Sequence, residues 1–73
     1  MSVQVVNSPM QGIISRLCVA VGDEVNQGDV LCLIESMKML TPIKANVRGK
    51  IIEIYMREKQ PVFRNEKLMS IEY

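Results

Sequence analysis

Residues 35–39 read ESMKM, and they place a lysine, Lys38, between two methionines at the middle of the chain. One apolar run ends just before this stretch and another begins just after it, so the lysine falls at a turn between two predicted strands. A two-residue hairpin turn of type I′ needs positive φ at both central positions, which Asn-Gly adopts without strain. The pair Met37-Lys38 therefore predicts a strained turn, and backbone strain concentrates at functional sites.

The chain repeats itself around this lysine with an offset of 37 residues. The alignment needs no gap, and its identical pairs include Gly12 with Gly49, Ile14 with Ile51, Val25 with Val62, and Leu31 with Leu68. A half of this size cannot bury an apolar face alone. We therefore expect one domain, residues 1–73, in which two half-repeats, about 1–36 and 38–73, pack around a quasi-twofold axis, with Met37 at the seam.

The periodicity of both halves is that of strands. The stretches GIISRLCV (12–19) and GKIIEIYM (49–56) carry their apolar residues at a spacing of three and then two, which predicts a strand with a bulge in each half. DVLCLIE (29–35) and EKLMSIE (66–72) are predicted to close each half. Pro9 and Pro42 are predicted to lie near the starts of strands, where the backbone N–H donor that proline lacks is not needed. The prediction is an all-β fold of about eight short strands in two sheets packed face to face.

The turns of the second half lack the glycines of the first. Gly22-Asp23 and Gly28-Asp29 predict turns in the first half. The matching positions are Lys59-Gln60 and Asn65-Glu66. Asparagine adopts left-handed backbone angles with little strain, whereas lysine does so less readily, so the conformation at Lys59 stays open.

Composition excludes several classes of function. A chain of 73 residues forms a small core and is not expected to enclose a deep pocket. Nine basic and eight acidic residues are well mixed, which argues against nucleic-acid binding, and no apolar stretch or leader indicates a membrane span or signal peptide. The chain has no histidine, which removes most zinc sites and imidazole catalysis. Cys18 and Cys32 are interpreted as small core residues in a reducing cytoplasm, with no disulfide required.

Three features together resemble the biotinyl domain of biotin-dependent carboxylases, the biotin carboxyl carrier family. ESMKM (35–39) is similar to the family's E-A-M-K-M, SPMQG (8–12) to its P-M-x-G opening, and VGDEV (21–25) with GDVL (28–31) to its turn pattern. The related lipoyl domains share the fold and a central lysine, usually flanked as D-K-A, which is not found here. No loop is inserted after Val19, where the acetyl-CoA carboxylase carriers of many bacteria have a protruding segment. This argues against that subfamily and toward other carboxylases, decarboxylases or a free-standing attachment protein.

The resemblance implies a flattened barrel-sandwich of two four-stranded antiparallel sheets, with Lys38 at the tip of a tight hairpin and the termini at the opposite end. It further implies that a biotin protein ligase attaches biotin to Lys38 through an amide. The biotin would then carry CO₂ between a biotin carboxylase and a carboxyltransferase. The chain would be a monomeric carrier rather than an enzyme, with neither nucleic acid nor membrane as a partner. Its expected location is the cytoplasm, or an organelle matrix if it is part of a larger eukaryotic enzyme.

Alternatives remain for the residues around Lys38. Met37 and Met39 form either an adaptable thioether surface for partner enzymes or part of the sheet packing. Glu35 is either a recognition residue for the ligase or a structural residue, because Glu72 occupies the matching position. Leu40 continues the apolar residues beside the turn, and it is either a partner contact or a half-buried side chain.

Two other functions compete with the biotin carrier. The chain could be a lipoyl carrier of a 2-oxo acid dehydrogenase or glycine-cleavage system, or an unmodified interaction module.

Overall fold

The computed structural model describes residues 1–73 and consists of strands joined by short turns. The molecule is elongated, with principal extents of 37 × 18 × 17 Å. The eight strands are β1 (Val3–Asn7), β2 (Gly12–Leu17), β3 (Glu24–Val25), β4 (Val30–Ser36), β5 (Met39–Lys44), β6 (Gly49–Ile54), β7 (Pro61–Val62) and β8 (Lys67–Glu72).

Two four-stranded antiparallel sheets face each other, with strand orders β1-β8-β6-β3 and β5-β4-β2-β7. Each sheet takes two strands from residues 1–36 and two from residues 38–73, so neither half forms a sheet alone. The predicted fold class is confirmed. That residues 1–73 are one domain of two half-repeats stays our proposal, which this exchange of strands between the sheets supports.

Strands related by the offset of 37 have the same irregularities. The β2–β4 register shifts between Ile14 and Arg16, and the β6–β8 register shifts between Ile51 and Glu53, which confirms the predicted bulge in each half. Both strands end two residues earlier than predicted, at Leu17 and Ile54. The chain leaves the sheet there to enter the next turn, although the apolar residues that follow still pack against the core.

The core lies between the sheets and consists of thirteen buried residues, among them the related pairs Ile14 and Ile51, Ile34 and Ile71, and Leu31 and Leu68. Gly12 is required by a close backbone approach. A Cβ there would lie 2.6 Å from both the carbonyl oxygen of Glu35 and Cγ2 of Ile34. Gly49 meets Glu72 and Ile71 in the same way. Burial of these apolar side chains is the main favourable term for a domain of this size.

Four turns share one hydrogen-bonding pattern, in which a backbone N–H donates to the side-chain oxygen three residues later. The pairs are Ala20 to Asp23 at 2.9 Å, Asn26 to Asp29 at 2.8 Å, Arg57 to Gln60 at 3.1 Å and Phe63 to Glu66 at 2.9 Å. Lys59 and Asn65 take φ of 70° and 71°, in the places where Gly22 and Gly28 take 97° and 95°. The second half therefore keeps the turn geometry without glycine, which settles the conformation left open at Lys59.

Two smaller expectations are wrong. Pro42 lies inside β5 rather than near its start, and it is tolerated because β5 is an edge strand. Cys18 is exposed rather than in the core, because it follows the end of β2, whereas Cys32 is buried as expected. Burial, together with the neighbouring Cys18, raises the pKa of the Cys32 thiol to about 11. Both cysteines are free.

No helix in the structure has the length and apolar character needed to cross a membrane.

Candidate functional site

Lys38 lies at the tip of the hairpin that joins β4 to β5. Ser36 and Met39 are the last paired residues of the two strands, so Met37 and Lys38 alone form the loop. Their φ angles are 52° and 64°, the left-handed values that the type I′ interpretation requires. These residues lack the flexibility of glycine, and left-handed angles cost an L-residue roughly 1–2 kcal/mol each. The sequence thus places a lysine where the fold would prefer Asn-Gly.

The methionines on either side of Lys38 are exposed. Met37 is 92% and Met39 70% accessible to solvent, and Lys38 is exposed between them. The sheet-packing alternative for both methionines is therefore wrong, because the tip extends past the core. Leu40 is 55% exposed and continues the same apolar surface. A contiguous exposed surface of long apolar side chains favours a partner that covers it.

Glu35 and its counterpart Glu72 share a structural role through their backbones. The carbonyl oxygens of both residues approach a glycine, Gly12 in one case and Gly49 in the other. The carboxylate of Glu35 is exposed and makes no hydrogen bond within the chain. The repeated position is thus explained by the main chain, which leaves the side chain of Glu35 available for recognition.

The hairpin tip presents a primary amine to solvent between two thioethers. Thioethers are neither acids nor bases at neutral pH, and they adapt readily to different contact surfaces. The two depressions on the molecule lie elsewhere, one along residues 54–60 and one between residues 4–9 and 42–46. The arrangement suits an amine that an enzyme modifies and a modified arm that other proteins then reach.

Strand pairing extends the exposed surface from the hairpin across the rest of the sheet. One row contains Leu40, Glu35, Ile13 and Pro61, contributed by β5, β4, β2 and β7 in turn. All four residues are exposed. Sequence reasoning missed Ile13 and Pro61, because only the strand register brings them beside Glu35. The residues that match them in the other half, Lys50 and Glu24, are charged. This difference between the halves is the sequence signal that could have identified Ile13 and Pro61.

Comparison with known proteins gives a consistent result. A family model described as "Biotin-requiring enzyme" matches residues 4–71. The chain is 41% identical over 73 residues to the biotin carboxyl carrier protein of acetyl-CoA carboxylase from Nostoc sp., covering 90% of this chain and 40% of that protein. It is 40% identical over 74 residues to the protein of the same name from Pseudomonas aeruginosa, covering 92% and 47%. The chain thus spans less than half the length of these relatives.

Solved structures agree with the sequence comparison. The urea carboxylase of Kluyveromyces lactis matches with a TM-score of 0.91 and 26% identity, covering 99% of this chain and 6% of that one. The names of these relatives favour the biotin carrier interpretation over the lipoyl alternative. Both bacterial relatives are named as parts of acetyl-CoA carboxylase. The expectation drawn from the missing loop stays a prediction.

Proposed function

The chain belongs to the family of biotin-requiring enzymes, and on that premise we propose that it is a carrier domain whose Lys38 receives biotin through an amide bond. The observation that carries this proposal is the lysine itself. Lys38 lies exposed at the tip of a two-residue turn, with positive φ at a position that favours glycine, inside ESMKM. A chain selected for stability alone would not keep Met-Lys there.

The attachment step is an acyl transfer. A lysine ammonium must first lose a proton, and the ligase removes it. The neutral Nζ then attacks the acyl carbon of a biotinyl-adenylate, an amide C–N bond forms, and the C–O bond to the phosphate breaks as AMP leaves. This chain contributes the nucleophile and its position, while the ligase contributes the activated acyl group and the base.

The carrier role follows from the amide. Lys38 would hold the biotin through an amide that removes its charge, and the bound group would supply a ring able to carry CO₂ between a biotin carboxylase and a carboxyltransferase. Tethering can raise the local concentration of the ring to roughly millimolar. The urea carboxylase match and the two acetyl-CoA carboxylase relatives support partners of these kinds.

The neighbours of Lys38 have proposed roles in recognition. Met37 and Met39 form an adaptable contact surface for the ligase, the carboxylase and the ring of biotin, which their exposure of 92% and 70% supports. Glu35 offers the ligase a free carboxylate beside the hairpin. We place this carrier, as a monomer, in the cytoplasm or an organelle matrix, in line with relatives from bacteria and chloroplasts.

Intact mass of the protein purified from its own host tests the proposal. A single biotinyl increment that maps to the peptide containing Lys38 is the expected result. A lipoyl increment would instead assign the chain to the lipoyl carriers, and an unmodified chain in cells that contain active ligase would leave only the interaction module.

A further inference from the structure

Three exposed basic side chains border the depression along residues 54–60. The depression has a volume of about 610 Å³, and Arg57 and Lys59 line it together with Tyr55. Nζ of Lys67 lies 5.9 Å from the centroid of the Tyr55 ring, close enough for a cation–π interaction. A third positive charge is therefore held at the same depression. We call Arg57, Lys59 and Lys67 the basic cluster.

The acidic side chains beside the basic cluster are engaged by groups of the chain itself. Glu58 accepts a hydrogen bond from the backbone N–H of Leu17 at 2.9 Å, and Glu53 accepts one from the hydroxyl of Tyr55 at 3.3 Å. Arg57, in contrast, forms hydrogen bonds through its backbone, and its guanidinium is exposed to solvent. The basic side chains thus present their charges outward, toward groups outside the chain.

The quasi-twofold axis supplies an internal control for this cluster. The offset of 37 converts its members into Ala20, Gly22 and Val30, none of which is charged. Residues 57–67 contain four basic and two acidic residues, whereas residues 20–30 contain three acidic residues and no basic one. Both segments form the same capped turns. The fold therefore requires neither set of charges, and a structural role does not account for the basic cluster.

The backbone of Lys59 points the same way. Its φ is 70°, where the matching Gly22 has 97°. Left-handed angles are unfavourable for a residue that has a Cβ, so glycine would suit this turn better than lysine. The chain keeps a lysine at a strained position here, as it does at Lys38, and such strain concentrates at functional sites.

We propose that the basic cluster is an electrostatic docking surface for an acidic patch on an enzyme that acts on the biotin ring. This inference rests on the proposed function. The depression is formed by one continuous segment at the surface, which suits the surface of another protein better than an enclosed small molecule. Complementary charges steer two proteins into contact and fix their orientation, so the partner that fits three outward positive charges is an acidic one.

The position of the cluster distinguishes these enzymes from the ligase. Backbone hydrogen bonds join Lys59 and Gln60 to Ile14. Ile14 pairs in turn with Ile34, four residues before Lys38, so the basic cluster lies on the flank of the molecule, set back from the hairpin tip. The ligase must reach the amine at the end of a four-carbon stem and therefore approaches the tip. An enzyme that acts on the far end of the biotin arm leaves the flank free for contact.

The test replaces each basic residue by the residue that the fold already accepts at the matching position. The cluster variant combines Arg57→Ala, Lys59→Gly and Lys67→Val. A control variant removes three other exposed positive charges by the same rule and combines Lys44→Asn, Arg48→Gln and Lys50→Ile. Thermal unfolding checks that both variants are folded, and Arg57→Ala with Lys59→Gly carries the test if the triple variant is not.

Two measurements are made with a biotin carboxylase and with a carboxyltransferase. The first is the association rate constant of the unmodified full chain, by surface plasmon resonance. The second is kcat/KM for the biotinylated full chain as the substrate of each enzyme. Both are measured at ionic strengths of about 0.1 M and about 1 M, where charges are screened beyond about 10 Å and about 3 Å.

We expect both quantities to fall about tenfold for the cluster variant at the lower ionic strength, with at least one of the two enzymes. At the higher ionic strength the variant and the parent should agree within about twofold, because the charges are screened. The control variant should match the parent within about twofold under both conditions, and biotinylation by the ligase should proceed at the parental rate in both variants.

Parental values for the folded cluster variant with both enzymes would overturn the docking surface and leave the proposed function intact. An equal fall in the control variant would also overturn it, since net charge rather than location would then be responsible. A fall confined to biotinylation would assign the cluster to the ligase instead. Self-association of the parent that the cluster variant loses would assign it to the acidic residues of a second copy. A parent chain that no ligase modifies would overturn the proposed function itself.

Discussion

The two ends of the molecule are built on the same backbone and differ in what that backbone carries. At one end the hairpin between β4 and β5 presents Lys38. At the other, the ends of β8 and β1 occupy the equivalent place, and Ser2 and Tyr73 join the termini through paired backbone hydrogen bonds of 2.8 and 2.9 Å. In the outer row at the hairpin end Glu35 is accompanied by Leu40, Ile13 and Pro61. In the matching row at the other end Glu72 is accompanied by Val3, Lys50 and Glu24.

This comparison separates what the fold requires from what function adds. Gly12 and Gly49, the two bulges and the four capped turns recur in both halves, so they belong to the fold. Lys38 and Ile13 are matched at the other end by residues of a different kind, Met1 and Lys50. Departures from the quasi-symmetry thus mark the candidate site.

The largest expected effect is the loss of the amine that we propose is modified. Lys38→Arg keeps the charge and the exposed position, so the fold should be unchanged while biotin incorporation falls to zero, as measured by streptavidin binding after incubation with ligase. Lys59→Arg is the matched control, since Lys59 is also exposed at positive φ but in another turn. Streptavidin binding that persists in Lys38→Arg would rule out the site assignment.

The next largest effect is expected at Gly12 and Gly49, where both ends of the molecule have the same close backbone approach. Gly12→Ala and Gly49→Ala should each lower the free energy of unfolding by about 1–3 kcal/mol, because the added Cβ meets a carbonyl oxygen and an isoleucine methyl. In a domain this small, each kcal/mol lowers the melting temperature by roughly 4–8 °C. Thermal unfolding followed by circular dichroism measures both variants.

Gly22→Ala is the comparison for those two variants. It meets no atom within 4 Å, so its cost comes from the positive φ alone. If Gly12→Ala and Gly49→Ala differ widely from each other, the two ends are not equivalent at this position.

The strained turn, which is found only at the hairpin end, should have a smaller effect on the free energy of unfolding. Replacing Met37-Lys38 with Asn-Gly should raise the free energy of unfolding of the apo chain by about 1–2 kcal/mol, because both residues adopt left-handed angles with less strain. Met37 is 92% exposed, so its removal costs little buried surface. A melting temperature at or below that of the parent would mean that the turn stores no strain, and the presence of Met-Lys would need another explanation.

The methionines should affect activity more than stability. Met37→Leu and Met39→Leu conserve volume at exposed positions, so the free energy of unfolding should change by less than about 0.5 kcal/mol. Carboxylation of the biotinylated chain by a biotin carboxylase should nevertheless slow severalfold, because leucine lacks the adaptable thioether. Unchanged steady-state kinetics in both variants would show that the exposed thioethers have no role in transfer.

The smallest expected effect is a difference in reactivity between the two thiols. Cys18 is exposed, whereas burial raises the pKa of Cys32 to about 11. Since the thiolate is the reactive form, iodoacetamide at pH 8 should alkylate only Cys18 in the folded chain and both thiols in urea. Mass spectrometry of the alkylated peptides measures this. Alkylation of Cys32 at the rate of Cys18 would contradict the buried position.

The same pKa fixes the direction of a pH effect. The ordinary value is 9.0, so between pH 9 and about 11 the unfolded chain releases the Cys32 proton while the folded chain retains it. This contribution to stability is therefore complete below pH 9 and is lost as the pH rises through that window.

Much of the fold could be predicted from local patterns. Strand periodicity, the repeat of 37 residues and the spacing of apolar positions determine the strands and the two bulges, because each depends on residues close in the chain. The strand ends were misplaced by two residues at Leu17 and Ile54, since an apolar residue that follows a strand can still face the core. The exposure of Cys18 was missed because Cys18 follows the end of β2 and lies outside the sheet.

The sequence by itself determined that Lys38 lies at a turn, because the apolar runs stop on either side of it and the repeat has its seam there. The tertiary structure decided the rest of the site. The exposure of Met37 and Met39 depends on where the second sheet ends, which no local pattern encodes. The row of Leu40, Glu35 and Ile13 depends on strand register, since Glu35 pairs with Ile13, which lies more than twenty positions away in sequence. Register is set by packing against the whole core, so a local pattern names the residues but not their neighbours.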